Sequence, residues 1–160
     1  MLFSLLDDRF NRTGFDCGEP ELNIFLRERA SQFVKRGFCR VYILTDENCV
    51  IGYYSLSQFA VKVQGLPPKI AKKFPSNMLV PCTLIGRLAV DRRFQDKQIG
   101  KLLLIDALKN VLEASKKIGG YCVVVDVKNE QVKGFYAKYG FIPFIDNELR
   151  MFLPLDSIAI

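Results

Sequence analysis

The chain has 160 residues, of which 49% are hydrophobic and 25% are charged, and it carries a formal charge of +6 without any histidine. This profile is typical of a soluble protein, and we expect residues 1–160 to form a single domain. The lack of histidine excludes Ser-His-Asp and Cys-His catalytic groups and histidine metal sites, while the positive charge fits either solubility or a polyanionic partner.

The N-terminal part of the chain predicts neither a signal peptide nor a membrane span. It lacks a basic region and reaches Asp7 and Asp8 early, and no apolar run approaches the roughly 20 residues that a span needs. The first predicted helix covers residues 19–36, where apolar side chains recur at spacings of three and four. Pro20 suits its first turn, and Gly37 suits the position just past its end.

Strands follow this helix. Residues 41–45 and 50–57 are rich in β-formers, and residues 46–48 between them predict a hairpin turn. Residues 82–90 predict a buried strand. Gly86 within that strand indicates a bulge or a close approach of the backbone.

The second half of the chain alternates helices with strands. Residues 98–117 form the most strongly amphipathic predicted helix, and residues 121–127 form a near-continuous apolar strand. A shorter helix covers 130–139, with Asn129 as its N-cap and Gly140 as its stop. The last two predicted strands cover 141–145 and 150–155. This alternation predicts an α/β or α+β fold.

The five cysteines predict no disulfide framework and no metal site, because their number is odd and no pair has the CxxC spacing. Several lie in apolar runs, where a thiol packs as a small hydrophobic group. We therefore expect structural cysteines, no bound metal, and a cytoplasmic location in which thiols stay reduced.

A polar, basic turn joins the strand at 82–90 to the long helix. The first N–H groups of a helix lack helical acceptors and lie at the positive end of its dipole, which suits phosphate oxygens. Four basic side chains add charge there, namely Arg92, Arg93, Lys97 and Lys101. Taken alone, the same pattern also fits a solvated surface.

A more specific motif lies near the C-terminus, where the sequence reads Asn129-x-x-Val132-x-x-Phe135-Tyr136-x-x-x-Gly140-Phe141. It resembles the signature near the end of GNAT-superfamily N-acetyltransferases. By their spacing alone, its aromatic residues would also fit the apolar stripe of a small helix.

The turn before the long helix, from Gln95 to Gly100, resembles the pyrophosphate loop of the same superfamily, (Gln/Arg)-x-x-Gly-x-(Gly/Ala). It departs from that pattern at Gln98, which stands where the first glycine is usual. Glycine permits close approach of the backbone, although a residue with a helical φ would still present its N–H.

The resemblance implies a mixed, splayed sheet of six to seven strands with helices on both faces, and acetyl-CoA bound at the splay. The pantetheine would pair with Leu88, Ala89 and Val90, and Asn129 would line it. Tyr136 would lie near the sulfur and protonate the leaving thiolate. The pyrophosphate would lie on the main chain of Gln95, Asp96, Lys97, Gln98, Ile99, Gly100 and Lys101.

Four further segments resemble the GNAT toxins of bacterial type II toxin–antitoxin pairs, namely residues 15–23, 40–44, 50–57 and 86–91. This resemblance implies acetylation of the α-amino group of an aminoacyl-tRNA, a block of translation, and a ribbon-helix-helix antitoxin as partner. The positive charge agrees, because binding of tRNA needs neutralisation of phosphates. The candidate tRNA contacts are Arg87, Arg92, Arg36, Lys72 and Lys73.

The acidity of the acceptor amine supports this substrate. At pH 7 a lysine loses its proton at a cost of about 4–5 kcal/mol, whereas an α-amino group beside an ester needs about 1 kcal/mol or less. A chain without histidine is therefore better matched to an aminoacyl ester.

Two alternative functions stay open. One is a GNAT enzyme that acts on a small amine or a protein, and the other is a non-catalytic acyl-CoA-binding module. The sequence also leaves open whether the chain forms a homodimer.

Overall fold

A computed structural model describes residues 1–158 of the chain. The strands are β1 (Leu2–Leu5), β2 (Arg40–Asp46), β3 (Cys49–Lys62), β4 (Leu79–Val90), β5 (Cys122–Asp126), β6 (Ile142–Pro143) and β7 (Arg150–Pro154). The α-helices are α1 (Pro20–Ile24), α2 (Ala30–Lys35), α3 (Pro68–Ala71), α4 (Ile99–Ser115) and α5 (Glu130–Ala137).

The seven strands form one mixed sheet in the order β1-β2-β3-β4-β5-β7-β6. The β4–β5 pair is parallel, whereas β1–β2, β2–β3, β5–β7 and β6–β7 are antiparallel. The ladder between β4 and β5 ends at the pair Ile85–Val125, although β4 itself continues to Val90. The mixed sheet of six to seven strands that the family resemblance implies is confirmed.

The chain divides into two compact units. The first comprises Met1–Ser57 and Gly86–Ala107, and the second comprises Gln58–Ile85 and the residues from Leu108 onward. A single folding domain stays a prediction from the chain length. The core of the first unit includes Phe15, Phe25, Leu26, Ile43, Tyr53 and Ala89. The core of the second includes Val80, Cys82, Cys122, Val124, Phe144 and Phe152.

The first helix departs from the uniform helix predicted over 19–36. A π-helical turn over Phe25–Arg29 joins α1 to α2, and in it the Ala30 N–H binds Phe25 O, five residues back. This shift takes from Leu26 O its usual donor, and Arg12 Nη1 donates to it instead at 3.2 Å. The apolar spacing did not reveal the turn, because its partner Arg12 lies outside the helix.

The hairpin predicted at residues 46–48 is confirmed. Glu47 and Asn48 have φ values of 49° and 66°, and positive φ at both central residues is the requirement of a type I′ turn. Strand β3 runs further than predicted, to Lys62. Strand β1 was not predicted, because its four residues show no alternation of apolar and polar side chains.

The predicted features of Gly86 and of the C-terminal half are present. A Cβ at Gly86 would lie 3.2 Å from Ser55 Oγ, so the backbone does approach a neighbour closely there. Asn129 Oδ1 accepts from the Val132 N–H at 3.0 Å, which makes it the N-cap of α5. Gly140, with a φ of 92°, ends the turn after α5.

All five cysteines are free thiols, and four of them are buried, namely Cys17, Cys39, Cys82 and Cys122. Within residues 1–158, no group of three or more His, Cys, Asp or Glu side chains could hold a metal ion. No helix in this part of the chain is both long enough and apolar enough to cross a bilayer.

Candidate functional site

In the first unit, the predicted cofactor residues form one continuous stretch from the end of β4 to the start of α4. Residues 91–98, here called the β4–α4 turn, contain a 3-10 helix over Arg92–Lys97. Ala89 before the turn is buried, and the side chains of residues 95–98 are exposed. Strand, turn and helix start thus follow in the order that the sequence predicts.

The start of α4 presents main-chain amides. The Leu102 N–H is the first N–H group of α4 with a helical acceptor, which is Gln98 O at 3.2 Å. The N–H groups of Ile99, Gly100 and Lys101 lie before it, in the first turn of the helix. They lie at the positive end of a helix of 17 residues. Amides so placed suit an anion such as a phosphate.

Gln98 adopts a left-handed conformation, with φ 60° and ψ 23°. The long helix predicted from residue 98 therefore begins one residue later, at Ile99. Glycine adopts this conformation freely, whereas it costs another L-residue about 1–2 kcal/mol. The main chain thus keeps the path that a glycine would take, and the side chain of Gln98 lies exposed.

The β4–α4 turn is anchored by Asp91, which is 2% exposed. Its Oδ1 accepts from the Arg93 N–H at 3.0 Å and from Arg93 Nε at 2.9 Å. Its Oδ2 accepts from Arg93 Nη2 and from the Asp16 N–H, both at 3.2 Å. The Asp91 N–H donates to Ile51 O in β3 at 2.8 Å. These bonds fix the end of β4 to β3 and to the N-terminal segment.

The carboxylate of Asp91 stays ionised despite its burial. Desolvation raises its pKa, but the hydrogen bonds from Arg93 and from the Asp16 N–H, together with the guanidinium charge, more than offset that rise. The pKa therefore lies below the ordinary value of 3.8. At neutral pH the turn is held by charge-assisted hydrogen bonds.

A second set of bonds ties the turn to the segment before α1. The Arg92 N–H donates to Asp16 O at 2.8 Å. Gln95 Nε2 donates to Cys17 O and to Val90 O, each at 2.9 Å. Because the side-chain amide of Gln95 is engaged in this way, Gln95 would contact a bound phosphate through its main-chain N–H.

Arg87 in β4 rests on aromatic rings. Its guanidinium carbon lies 3.6 Å from the ring centroid of Phe25 and 5.5 Å from that of Phe33. The Phe25 ring stacks on Tyr53, with centroids 6.1 Å apart. Tyr53 is held in turn by a hydrogen bond from its hydroxyl to Leu22 O at 2.7 Å.

The other candidate tRNA contacts lie on exposed surface. Arg36 at the end of α2 and Arg92 in the β4–α4 turn belong to the first unit, as does Arg87. Lys72 and Lys73, directly after α3, belong to the second unit.

In the second unit, α5 carries the predicted Tyr136, which is 6% exposed. Its ring makes edge-to-face contacts with Phe135 and Phe141, at centroid distances of 5.1 Å and 5.2 Å. Burial raises the pKa of the phenol above its ordinary value of 10.0. Tyr136 is therefore protonated at neutral pH and can donate a proton or a hydrogen bond. Asn129, at the start of the same helix, is exposed and acts as the N-cap.

The sequence did not predict the role of Asp91. Its partner Asp16 lies 75 residues away, so no local spacing could reveal the bond. The available signal was an acidic residue at the end of an apolar strand, followed two positions later by Arg93.

Known proteins are similar to this chain over most of its length. The family model of the acetyltransferase (GNAT) domain matches residues 24–143. A protein of Mycobacterium tuberculosis named tRNA-acetylating toxin is 31% identical over 136 residues, which cover 85% of this chain and 81% of that protein.

Two solved structures of the toxin AtaT have similar folds. The complex of AtaT with acetyl-methionyl-tRNAfMet has a TM-score of 0.90 and 34% identity, and the match covers 98% of this chain and 95% of AtaT. A tyrosine-to-phenylalanine mutant of AtaT, bound to the C-terminus of the antitoxin AtaR and to acetyl-CoA, has a TM-score of 0.83 and 31% identity, with 98% and 94% covered.

The left-handed conformation of Gln98 predicts an order of stabilities. Gln98→Gly removes the steric cost and adds backbone entropy to the unfolded chain, so we expect the free energy of unfolding to rise by up to about 1 kcal/mol. Gln98→Val places a β-branched residue in the same conformation and should lower it by about 1–2 kcal/mol. Urea unfolding of the three proteins measures the order, and a glycine variant less stable than the valine variant would contradict it.

Asp91→Asn should lower the free energy of unfolding at pH 7 by about 2–3 kcal/mol, because it removes charge-assisted bonds from a buried site. The matched control is Asp96→Asn, an exposed carboxylate in the same turn, which should change stability by less than about 0.5 kcal/mol.

The pH dependence follows from the lowered pKa of Asp91. Its stabilisation is present above the unfolded value near 3.8 and is lost as the pH falls through the lower folded value. In urea titrations, the difference in the free energy of unfolding between wild type and Asp91→Asn should therefore shrink as the pH falls below about 3.8. A gap that is constant with pH, or absent at pH 7, would show that Asp91 does not anchor the turn as a charged group.

Proposed function

Because the chain belongs to the GNAT acetyltransferase family, we propose that it transfers an acetyl group from acetyl-CoA to the α-amino group of an aminoacyl-tRNA. In doing so it blocks translation and acts as the toxin of a toxin–antitoxin pair. The observation that carries this proposal is the close match, along nearly the whole chain, to AtaT in its complex with an acetylated aminoacyl-tRNA.

The start of α4 suits the diphosphate of coenzyme A. The N–H groups of Ile99, Gly100 and Lys101 precede Leu102, the first residue whose N–H has a helical acceptor. The side chains of Lys97 and Lys101 are exposed. Amides and ammonium groups are the donors that phosphate oxygens need. The rest of the proposed cofactor contacts follow the family resemblance, with Leu88, Ala89 and Val90 pairing with the pantetheine and Asn129 lining it.

Acetyl-CoA supplies an activated thioester as the acetyl donor. Attack by the amine forms a C–N bond and breaks the C–S bond, so one proton must leave the nitrogen and one must reach the sulfur. We assign the delivery to sulfur to the phenol of Tyr136, which its raised pKa keeps protonated at neutral pH. An α-amino group loses its proton readily near pH 7, which suits a chain without histidine.

The partners and location follow from the same proposal. An antitoxin should bind this chain, as AtaR binds AtaT, and we propose for it the ribbon-helix-helix fold of the family. A cytoplasmic location is a further proposal, which the five free thiols support. A homodimer is proposed as one state of the chain that the sequence leaves open. The proposed tRNA contacts are Arg36, Arg87, Arg92, Lys72 and Lys73.

The direct test is incubation of the protein with labelled acetyl-CoA and a total pool of charged tRNA, followed by mass spectrometry. We expect N-acetyl-aminoacyl-tRNA, with uncharged tRNA unlabelled as the control. The rate at which N-acetyl-aminoacyl-tRNA forms should fall steeply as the salt concentration rises, since phosphate contacts release counterions. Label on a polyamine or a peptide instead would favour the enzyme of small amines or proteins. Binding of acetyl-CoA without turnover on any amine would favour a non-catalytic module.

Tyr136→Phe tests the proton donor. It removes only the hydroxyl, so kcat should fall by about 10²–10⁴-fold while the Kd for acetyl-CoA changes by less than about threefold. The matched control is Tyr139→Phe on the segment just after α5, whose ring also packs on Phe135 and which should keep near-wild-type kcat. Stopped-flow or discontinuous assays at saturating acetyl-CoA measure the kcat of both variants. Equal activity of Tyr136→Phe and wild type would remove Tyr136 from the reaction.

A further inference from the structure

We propose that Arg87 binds a phosphate of the single-stranded 3′ end of the aminoacyl-tRNA, and that Arg12 is the residue that keeps its aromatic support in place. This inference rests on the proposed function and gives that substrate a specific contact. Arg87 directly precedes Leu88, the first residue proposed to pair with the pantetheine. A contact made by Arg87 would therefore lie near the acetylated end of the tRNA.

The guanidinium of Arg87 has no polar partner among residues 1–158, where it makes neither a hydrogen bond nor an ion pair. It is nevertheless partly buried. By contrast, Arg93 and Arg150 each bind a carboxylate through two nitrogen atoms, in Asp91 and Asp126 respectively. A guanidinium has five donors in a planar fork that matches phosphate oxygens. Arg87 is thus a fixed cation that lacks an acceptor within the described part of the chain.

The aromatic contacts hold this cation without using its donors. At 3.6 Å from the centroid of Phe25, the guanidinium lies over the face of the ring. The N–H bonds lie in the guanidinium plane, so the ring contact leaves them free to meet an acceptor. Support by Phe25 and Phe33 therefore orients Arg87 before any ligand binds.

The region around Arg87 carries further positive charge. Burial raises the pKa of the nearby Cys39 thiol, and the charges of Arg87 and Arg40 oppose that rise. Both cations therefore act on the same thiol. Two cations in one region favour a polyanion over a neutral ligand.

The position of Phe25 depends on the π-turn over Phe25–Arg29, which Arg12 stabilises. Arg12 Nη1 donates to Leu26 O at 3.2 Å, the carbonyl that the π-turn deprives of its helical donor. Arg12 Nη2 donates to Ser31 Oγ, beyond the turn, at 2.7 Å. One side chain thus bridges the turn and the helix that follows it. Arg12 acts on the substrate only through Phe25 and Arg87, as a positioning residue.

The experiment compares wild type with Arg87→Gln and uses Arg9→Gln as the matched control. Arg9→Gln removes the same charge from a side chain that is 79% exposed and lies outside the proposed site. Binding of a total pool of charged tRNA is measured by filter retention without acetyl-CoA at several salt concentrations. The KM for charged tRNA is measured in the acetylation assay.

We expect Arg87→Gln to weaken binding of charged tRNA and raise its KM by about tenfold or more, and to reduce the slope of log K against log salt by about 0.7, the value for one phosphate of a single strand. The Kd for acetyl-CoA should stay within about twofold of wild type, and Arg9→Gln should keep most of the wild-type affinity. Unchanged affinity, or a loss of affinity with an unchanged slope, overturns the phosphate contact.

The binding arm separates this inference from the proposed function. If wild type forms no N-acetyl product, the proposed function fails, while filter retention still reports whether Arg87 binds a phosphate of the tRNA. If the wild-type protein does not bind charged tRNA at all, both the proposed function and the phosphate contact of Arg87 are overturned.

Arg12→Lys tests the positioning role. It keeps the charge but cannot bridge the turn in the same way, so the KM for charged tRNA should rise severalfold with an unchanged salt slope and an unchanged Kd for acetyl-CoA. A role in folding alone would lower the melting temperature and leave that KM unchanged. That result would overturn the assignment of Arg12.

Discussion

The buried carboxylate of Asp91 is the constraint on which the first unit depends. It joins the end of β4 to the N-terminal segment through the Asp16 N–H and to the turn through Arg93, while its own N–H binds Ile51 in β3. A charge with 2% exposure is stable only when hydrogen bonds surround it. Those bonds therefore leave little freedom to the chain that follows. The 3-10 helix, the left-handed Gln98 and the free amides of α4 all lie downstream of this anchor.

The proposed activity divides its tasks between main chain and side chains. Recognition of the diphosphate rests on amides at the start of α4, whose placement depends on backbone path rather than on side-chain identity. This is why Gln98 can stand at a position where glycine is usual, provided that it takes the conformation of glycine. The chemistry needs few side chains, because an α-amino group loses its proton readily and only the sulfur needs a donor. A protonated tyrosine is sufficient for that task.

The elements governed by local pattern were predicted well from the sequence. Helix α4, the Asn129 cap, the stop at Gly140 and the turn at 46–48 each follow from spacing or from residues with strong conformational preferences. The π-turn and the anchor at Asp91 were not predicted, because each depends on a partner far along the chain, Arg12 or Asp16. The left-handed φ of Gln98 was not predicted, because the surrounding turn, and not the preference of the residue itself, imposes it. The proposed role of Tyr136 comes from the motif and that of the basic residues from the positive charge, and both roles stay predictions.

The claim on which the account depends is that the amides at the start of α4 hold the diphosphate of coenzyme A. Isothermal titration of the wild-type protein with acetyl-CoA and with acetyl-pantetheine, which lacks the diphosphate, tests it most directly. We predict saturable binding of one acetyl-CoA per chain. Acetyl-pantetheine should bind more weakly by about a hundredfold or more, since several charge-assisted hydrogen bonds are lost. Equal affinity for the two ligands, or no heat with acetyl-CoA, would contradict it.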